Sequence, residues 1–197
     1  MHKSITILHN EHRSISAVLH GLKELARLAQ DAKVKPDFQV FRAMLRYIDE
    51  YPERLHHPKE DRYLFAKLLE RRPQTLALVQ RLTSEHEQGA RLVRELERSL
   101  LFYEEGWPAG AREFQKTVAE YARFHWDHMR CEENELLPLA ERHLTAEDWK
   151  WVDDAFAGNQ DPIADLREQD FERLFSRIVS LAPAPVGLGE PWKNANA

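Results

Sequence analysis

His56-His57-Pro58-Lys59-Glu60-Asp61 and, further along, His128-Met129-Arg130-Cys131-Glu132-Glu133 decide the fold of this 197-residue chain. In each stretch a histidine is followed four residues later by a glutamate. On an α-helix that spacing stacks imidazole and carboxylate on one face, about 5–6 Å apart at Cβ. With Glu60 set over Glu132, His56 falls on His128, Asp61 on Glu133 and Leu64 on Leu136. Two copies of one liganding unit imply two helices that grip metal together, and duplication suits a binuclear site. A lone His-x-x-x-Glu would carry little, because such pairs also occur on solvated helix faces. The matched copies, flanked by apolar residues and joined by histidines on two other helices, carry the reading.

The composition fits that picture. A chain of this length suits one domain plus an extension, and 43% hydrophobic with 31% charged residues describes an ordinary soluble protein. Few glycines beside abundant Leu, Ala, Glu and Arg favour helices, so an all-α fold is expected. The formal charge of -5, with both signs interleaved, offers no basic stripe for nucleic acid. Met1-His2-Lys3-Ser4-Ile5 does not open a signal peptide, and no apolar run approaches the ~18–20 residues of a membrane span. A cytoplasmic protein without a membrane partner is expected. The single cysteine, Cys131, cannot form an internal disulfide.

Working outward, apolar residues recur at helical spacing from Ser4 to about Gln30, with His9, Glu11 and His12 near the start. Pro36 suits the first position of a second helix running to about Leu69. Pro52 and Pro58 interrupt that helix. Each removes a backbone hydrogen bond, so Pro58 reads as a local kink or widened turn in one bent helix, the alternative being a stop at Leu55 and a restart. Arg72-Pro73 marks a turn before a third helix to about Glu104, with His86 midway along it. Gly106-Trp107-Pro108-Ala109-Gly110 is the clearest break, and a fourth helix follows from about Ala111 to Pro138 or a little beyond. Thr145 resembles the cap of a short helix to about Phe156. Residues 158–162 read as a linker, Leu166 to Leu181 as a last amphipathic helix, and the Pro-, Gly- and Asn-rich remainder as irregular, with Trp192 able to dock. The expected architecture is an up-down-up-down four-helix bundle over residues 1–143, a helical extension over 144–181 packing on it, and a tail over 182–197.

One candidate set per helix gives His12, His56 with Glu60, His86, and His128 with Glu132. Four imidazoles and two carboxylates suit iron, manganese or zinc. Two cations bridged by Glu60 and Glu132 would fit this set and keep a position open for a small ligand. Around it the ordinary readings are favoured: His9 as a supporting or surface residue that could also supply a ligand, His57 as pointing about 100° away from His56 in a regular helix although the kink at Pro58 would let it replace its neighbour, and His125 as a possible ligand or proton-relay group. Asp61 and Glu133 read as acceptors that orient histidines. His2, His20 and His143 read as surface residues, Cys131 as a small buried residue, and Tyr47, Tyr51, Tyr63 and Tyr121 as packing residues, one of which could reach a metal-bound species.

Leu8-His9-Asn10-Glu11-His12, His56 through Asp61 with Leu64-Phe65, Ser84-Glu85-His86-Glu87, and His128 through Glu133 with Leu136-Leu137-Pro138 together resemble the hemerythrin-like, HHE cation-binding family. The resemblance covers about residues 5 to 140. It implies a four-helix bundle around a non-haem di-iron centre with bridging oxo, hydroxo or water, and it maps ligand positions onto His12, His56, Glu60, His86, His128 and Glu132. Oxygen-carrying relatives have a further histidine one turn after that of helix three. Here the position is Ala90, which puts reversible oxygen carriage in doubt.

The expected function is binding or sensing of oxygen, nitric oxide or peroxide at an open iron position. The alternatives are iron storage, donation or iron–sulfur repair, and a metal-stabilised interaction module, with a homodimer possible. No nucleophilic triad or phosphate loop is apparent, so a metal-binding protein is expected rather than a hydrolase, with turnover of peroxide or nitric oxide left open. Zinc or manganese could occupy the same donors.

Overall fold

The computed structural model describes residues 2–31, 35–157 and 168–192. Four long helices form the bundle. Helix α1 is Lys3–Asp31. Helix α2 covers residues 38–71 as a run of Phe38–Ile48, a π-helical Asp49–His56, a short α-turn His57–Lys59, a π-helical Glu60–Phe65 and a final Ala66–Arg71. After a 3₁₀ turn at Pro73–Thr75, α3 runs Leu76–Gly106. Helix α4 covers residues 111–143: Ala111–Cys131, a π-helical Glu132–Leu136 and Leu137–His143. Helix α5, Ala146–Ala157, and α6, Glu168–Leu181, follow. No strand occurs among the described residues, and no described helix is long and apolar enough to cross a membrane.

Local chemistry explains the boundaries. Asp37 caps α2 by accepting the Gln39 N–H at 2.8 Å, so Pro36 precedes the cap rather than opening the helix as expected. The prolines do not break α2. Pro52 lies inside the first π-segment, where the widened turn leaves the His57 N–H to reach the Pro52 carbonyl. The bent-helix reading of Pro58 thus describes the structure, and the stop-and-restart alternative does not. Gly110 sits at φ +87°, and a Cβ there would come within 3.0 Å of the Tyr103 backbone, so the turn between α3 and α4 needs glycine. Thr145 and Asp148 form a reciprocal cap on α5: the Thr145 N–H donates to Asp148 at 2.9 Å and the Asp148 N–H to Thr145 Oγ1 at 3.2 Å.

Helix α4 packs along both α1 and α3, and α2 packs against α3 and α1, as short connections between antiparallel neighbours require. Because α3 starts at Leu76, His86 lies in its first third rather than midway. Its depth therefore matches His12 early in α1 and the second halves of α2 and α4. The apolar interior comes in two blocks. One holds Leu22, Phe41, Ile48, Leu96, Phe114 and Val118; the other holds Leu8, Leu64, Phe65, Leu82, Leu136 and Val152. Each such side chain contributes about 1.5–3 kcal/mol on burial. Along every bundle helix the candidate ligands fall between residues of the first block and residues of the second.

The extension braces this arrangement. Helix α5 packs on α1 and on the second π-segment of α2, and Ser4 donates from both N–H and hydroxyl to Asp153, at 2.8 and 2.6 Å. Helix α6 lies on Phe38–Ile48 with Leu174 and Ile178 buried. Past it the chain turns through an isolated bridge between Pro183 and Gly189, and Trp192 comes back onto Phe41 at 6.2 Å between ring centroids. The expected linker at 158–162, Leu166, and the inward Phe171 and Phe175 side chains lie outside the described residues.

Candidate metal centre

The site is built from Nε2 atoms turned inward and Nδ1 atoms held from outside. His12 Nε2 lies 3.8 Å from Glu60 Oε1 and 3.3 Å from Glu132 Oε2. His56 Nε2 is 3.5 Å from Glu60 Oε2. His86 Nε2 is 3.7 Å from Glu60 Oε2, 3.6 Å from Glu132 Oε1 and 3.0 Å from His128 Nε2, which itself lies 3.2 Å from Glu132 Oε1. All six predicted residues therefore converge, one set per bundle helix. Each glutamate faces imidazoles on both sides.

On the outer side every one of these rings meets an acid through Nδ1: His12 with Glu133 at 2.9 Å, His56 with Glu11 at 2.7 Å, His86 with Asp61 at 3.0 Å and His128 with Glu85 at 2.9 Å. A carboxylate on Nδ1 fixes the tautomer that presents Nε2 as a lone pair and makes it a better donor. Asp61 and Glu133 take the roles expected of them. Glu11 and Glu85 were missed, although each immediately precedes a candidate ligand histidine in sequence. That repeated Glu-His pair was the available signal. Lys59, itself buried, anchors Glu11 at 3.1 Å and lies over the Phe156 ring of α5.

The local backbone serves the same end. The second π-segment of α2 starts at Glu60 and that of α4 at Glu132, so both copies of the motif widen their helix at the glutamate. Single π-turns inserted in α-helices commonly mark functional sites.

Several donors have no partner inside the protein: His12 Nε2, Glu60 Oε2 and both oxygens of Glu132 are buried without a hydrogen bond. Leaving such groups bare costs about 1–3 kcal/mol each, more when charged, so the donor set fits an ion at its centre. The protonation pattern of the bare cluster agrees. Burial by itself would push the imidazoles down, yet the carboxylates of Glu132, Glu133 and Glu60 around it raise His12 well above its ordinary value. The same competition, decided by Asp61 and Glu132, lifts His86 to about 10, while Glu132 and Glu85 lift His128 to about 9. Glu132 is held well below the usual carboxylate range: burial acts to raise it, and His128, His12 and His86 outweigh burial. A cation held by these imidazoles would have to displace their protons.

A second layer lies against the first. His57 is buried and stacks face to face on His86, with centroids 4.2 Å apart and planes within 10°. The π-turns on both sides of His57 remove the regular geometry that would have turned it about 100° away from the site. Next to it sit Glu53, His125 and Tyr121. The Tyr121 hydroxyl donates to Glu53 Oε1 at 3.2 Å, and His125 Nε2 lies 3.5 Å from the same oxygen. A Cβ on Gly89 would meet that oxygen at 3.0 Å, so glycine makes room for the carboxylate. Burial pushes the Glu53 carboxyl up to about 7, and burial followed by neighbouring imidazoles holds His57 and His125 well below the usual histidine value.

The remaining residues sit elsewhere. His9 is half-buried, 3.4 Å from Glu133 and outside the cluster. His2 stacks on Trp149, and His20 lies tilted against Trp126. Tyr63 meets Trp151 edge-on, and Tyr47 stacks on Tyr51. Burial pushes the Cys131 thiol up to about 11, and Arg81 donates to its sulfur, so it packs as a thiol beside the site. No curated protein matches the chain. The helices, the two His-x-x-x-Glu copies and the buried N/O donor set agree with a family match over residues 3–140, and the chain belongs to the hemerythrin HHE cation binding domain family.

Proposed function

We propose that the chain holds a pair of iron ions and binds or senses a small diatomic or peroxidic ligand there: oxygen, nitric oxide or hydrogen peroxide. One observation carries the reading. Glu60 and Glu132, both buried, each lie between imidazoles from opposite sides of the bundle, so two cations could share both carboxylates. Two six-coordinate cations need more donors than these side chains supply, and the balance falls to exogenous ligands. When bound, iron would supply the electron exchange. The chain supplies the rest: imidazole lone pairs fixed by outer acids, exclusion of bulk water by the two apolar blocks, and a groove bordered by Arg81, Glu85, Arg123, Asp127, His128 and Arg130 that reaches the centre's edge.

The test is metal analysis of protein prepared without added metal. It is followed by anaerobic titration of the ferrous form with oxygen, nitric oxide or peroxide, observed optically. About two irons per chain and a ligand-dependent spectrum are expected. A single ion, or a spectrum indifferent to all three ligands, would refute the reading.

A further inference from the structure

His57 has no assigned role, although it is among the most unusual residues of the interior. It is 4% exposed, it is the only one of a matched pair that is a histidine (Met129 occupies the equivalent place in α4), and its Nδ1 has no hydrogen-bond partner. One ring nitrogen of His57 and donor atoms of Glu60, His86 and His128 all lie within 4.8 Å of one another, a spread that a single cation can span. Among the described residues the other compact group is His12, His56 and Glu60. The donors thus divide unevenly, with two imidazoles on one side and three on the other.

We propose that His57 is a seventh protein ligand of the centre, giving the cation held by His86 and His128 a third imidazole. This rests on the reading of the site as a metal pair. Four features support it. The ring is already parallel to His86 and edge-on to His128, the latter at 5.5 Å between centroids. An acid, Glu53, lies 3.5 Å from its Nδ1. Ala90, one turn beyond His86, offers no donor from α3 on that side, whereas α2 does. A histidine kept there for packing alone would bring two ring nitrogens into the interior where an apolar residue would bring none.

Glu53 acts as a positioning residue in this scheme. Its Oε2 lies 3.5 Å from His57 Nδ1 without bonding it, Tyr121 holds its other oxygen, and Gly89 leaves space for both. The arrangement parallels the acids behind the other four rings. It differs in that the acid comes from the same helix, one turn earlier.

The experiment is anaerobic equilibrium dialysis of ferrous iron against wild type, His57→Ala and His125→Ala, with circular dichroism to confirm folding. Wild type should hold two ions. His57→Ala should keep one and bind the second at least about tenfold more weakly, with free imidazole restoring it, and His125→Ala should keep both. Anomalous diffraction from iron-loaded wild type, which needs no variant to fold, should place a His57 ring nitrogen at bonding distance from one ion. Two ions bound normally by His57→Ala, equal losses in both variants, or a His57 ring away from both ions would overturn the assignment. Fewer than two ions on wild type would instead overturn the metal pair on which it rests.

Discussion

The helix pair α1–α2 and the helix pair α3–α4 bring the same five roles to the centre. Glu11-His12 answers Glu85-His86, His56 answers His128, and Glu60-Asp61 answers Glu132-Glu133. The contacts match closely: 2.7 and 2.9 Å from His56 and His128 to their acids, 2.9 and 3.0 Å from His12 and His86 to theirs. Each acid reaches a histidine on a different helix, so the halves lace together. Two positions break the match. His57 stands against Met129, and Glu53 against His125. The frame that grips is thus close to twofold symmetric while its lining is not, and two ions held by such a frame would experience different surroundings.

Glu60 and Glu132, the glutamates proposed to bridge, offer the sharpest way to break the comparison. Glu60→Ala or Glu132→Ala should each abolish binding of both ions, because each carboxylate faces imidazoles of both halves; metal content after dialysis measures it. If one variant loses one ion alone, its glutamate serves one side and the frame is less symmetric than drawn. Next come the outer acids. Glu11→Gln and Glu85→Gln should each weaken metal binding by about 10–100-fold, and by similar factors, in a competition titration with a chelator. Unequal losses would locate asymmetry in the frame itself.

The third prediction sets the extension apart from both halves. Arg71 donates two hydrogen bonds to Asp148, at 2.7 and 2.9 Å, and chiefly for that reason Asp148 titrates well below the usual aspartate value. Burial opposes the shift and Thr145 adds to it. A depressed folded-state value means that this contribution is complete above about pH 4 and is lost as pH falls further. Asp148→Asn should therefore flatten the acid limb of a denaturation curve while leaving metal content at neutral pH unchanged. Smallest of all, Met129→Leu should alter thermal stability by less than about 1.5 kcal/mol and leave both ions in place, since Met129 belongs to the apolar lining.

The sequence showed the frame more clearly than the lining. Histidine and glutamate four apart lie on one face of any helix, so the pairs in α2 and α4 could be read without knowing what surrounds them. Asp61 and Glu133 could be inferred because each adjoins a ligand. Glu11 and Glu85 also adjoin ligands, but their partners, His56 and His128, sit on other helices. Which acid meets which ring depends on how the helices are rotated about their axes, and one-dimensional spacing does not carry that rotation. The place of His57 was harder to read for a related reason. Its direction was taken from a regular α-helix, and the stretches on both sides of it, Asp49–His56 and Glu60–Phe65, wind more widely. Pro52 and Pro58 announced a disturbance, but the place where the extra residue is accommodated is decided by packing against α3 and α5. Pro36 failed more simply: proline favours the first turn, yet Asp37 after it makes the better cap.

The two apolar blocks have a consequence beyond shielding. In most small helical proteins one dry interior runs end to end, so the whole chain stands or falls together. Here a belt of ionisable groups crosses the waist, and four rods alone carry continuity from one oily end to the other. Cations seated in that belt would act as rivets between halves that otherwise hold together independently. An emptied belt, relying on protons alone to balance its acids, makes the waist the natural place for this molecule to loosen.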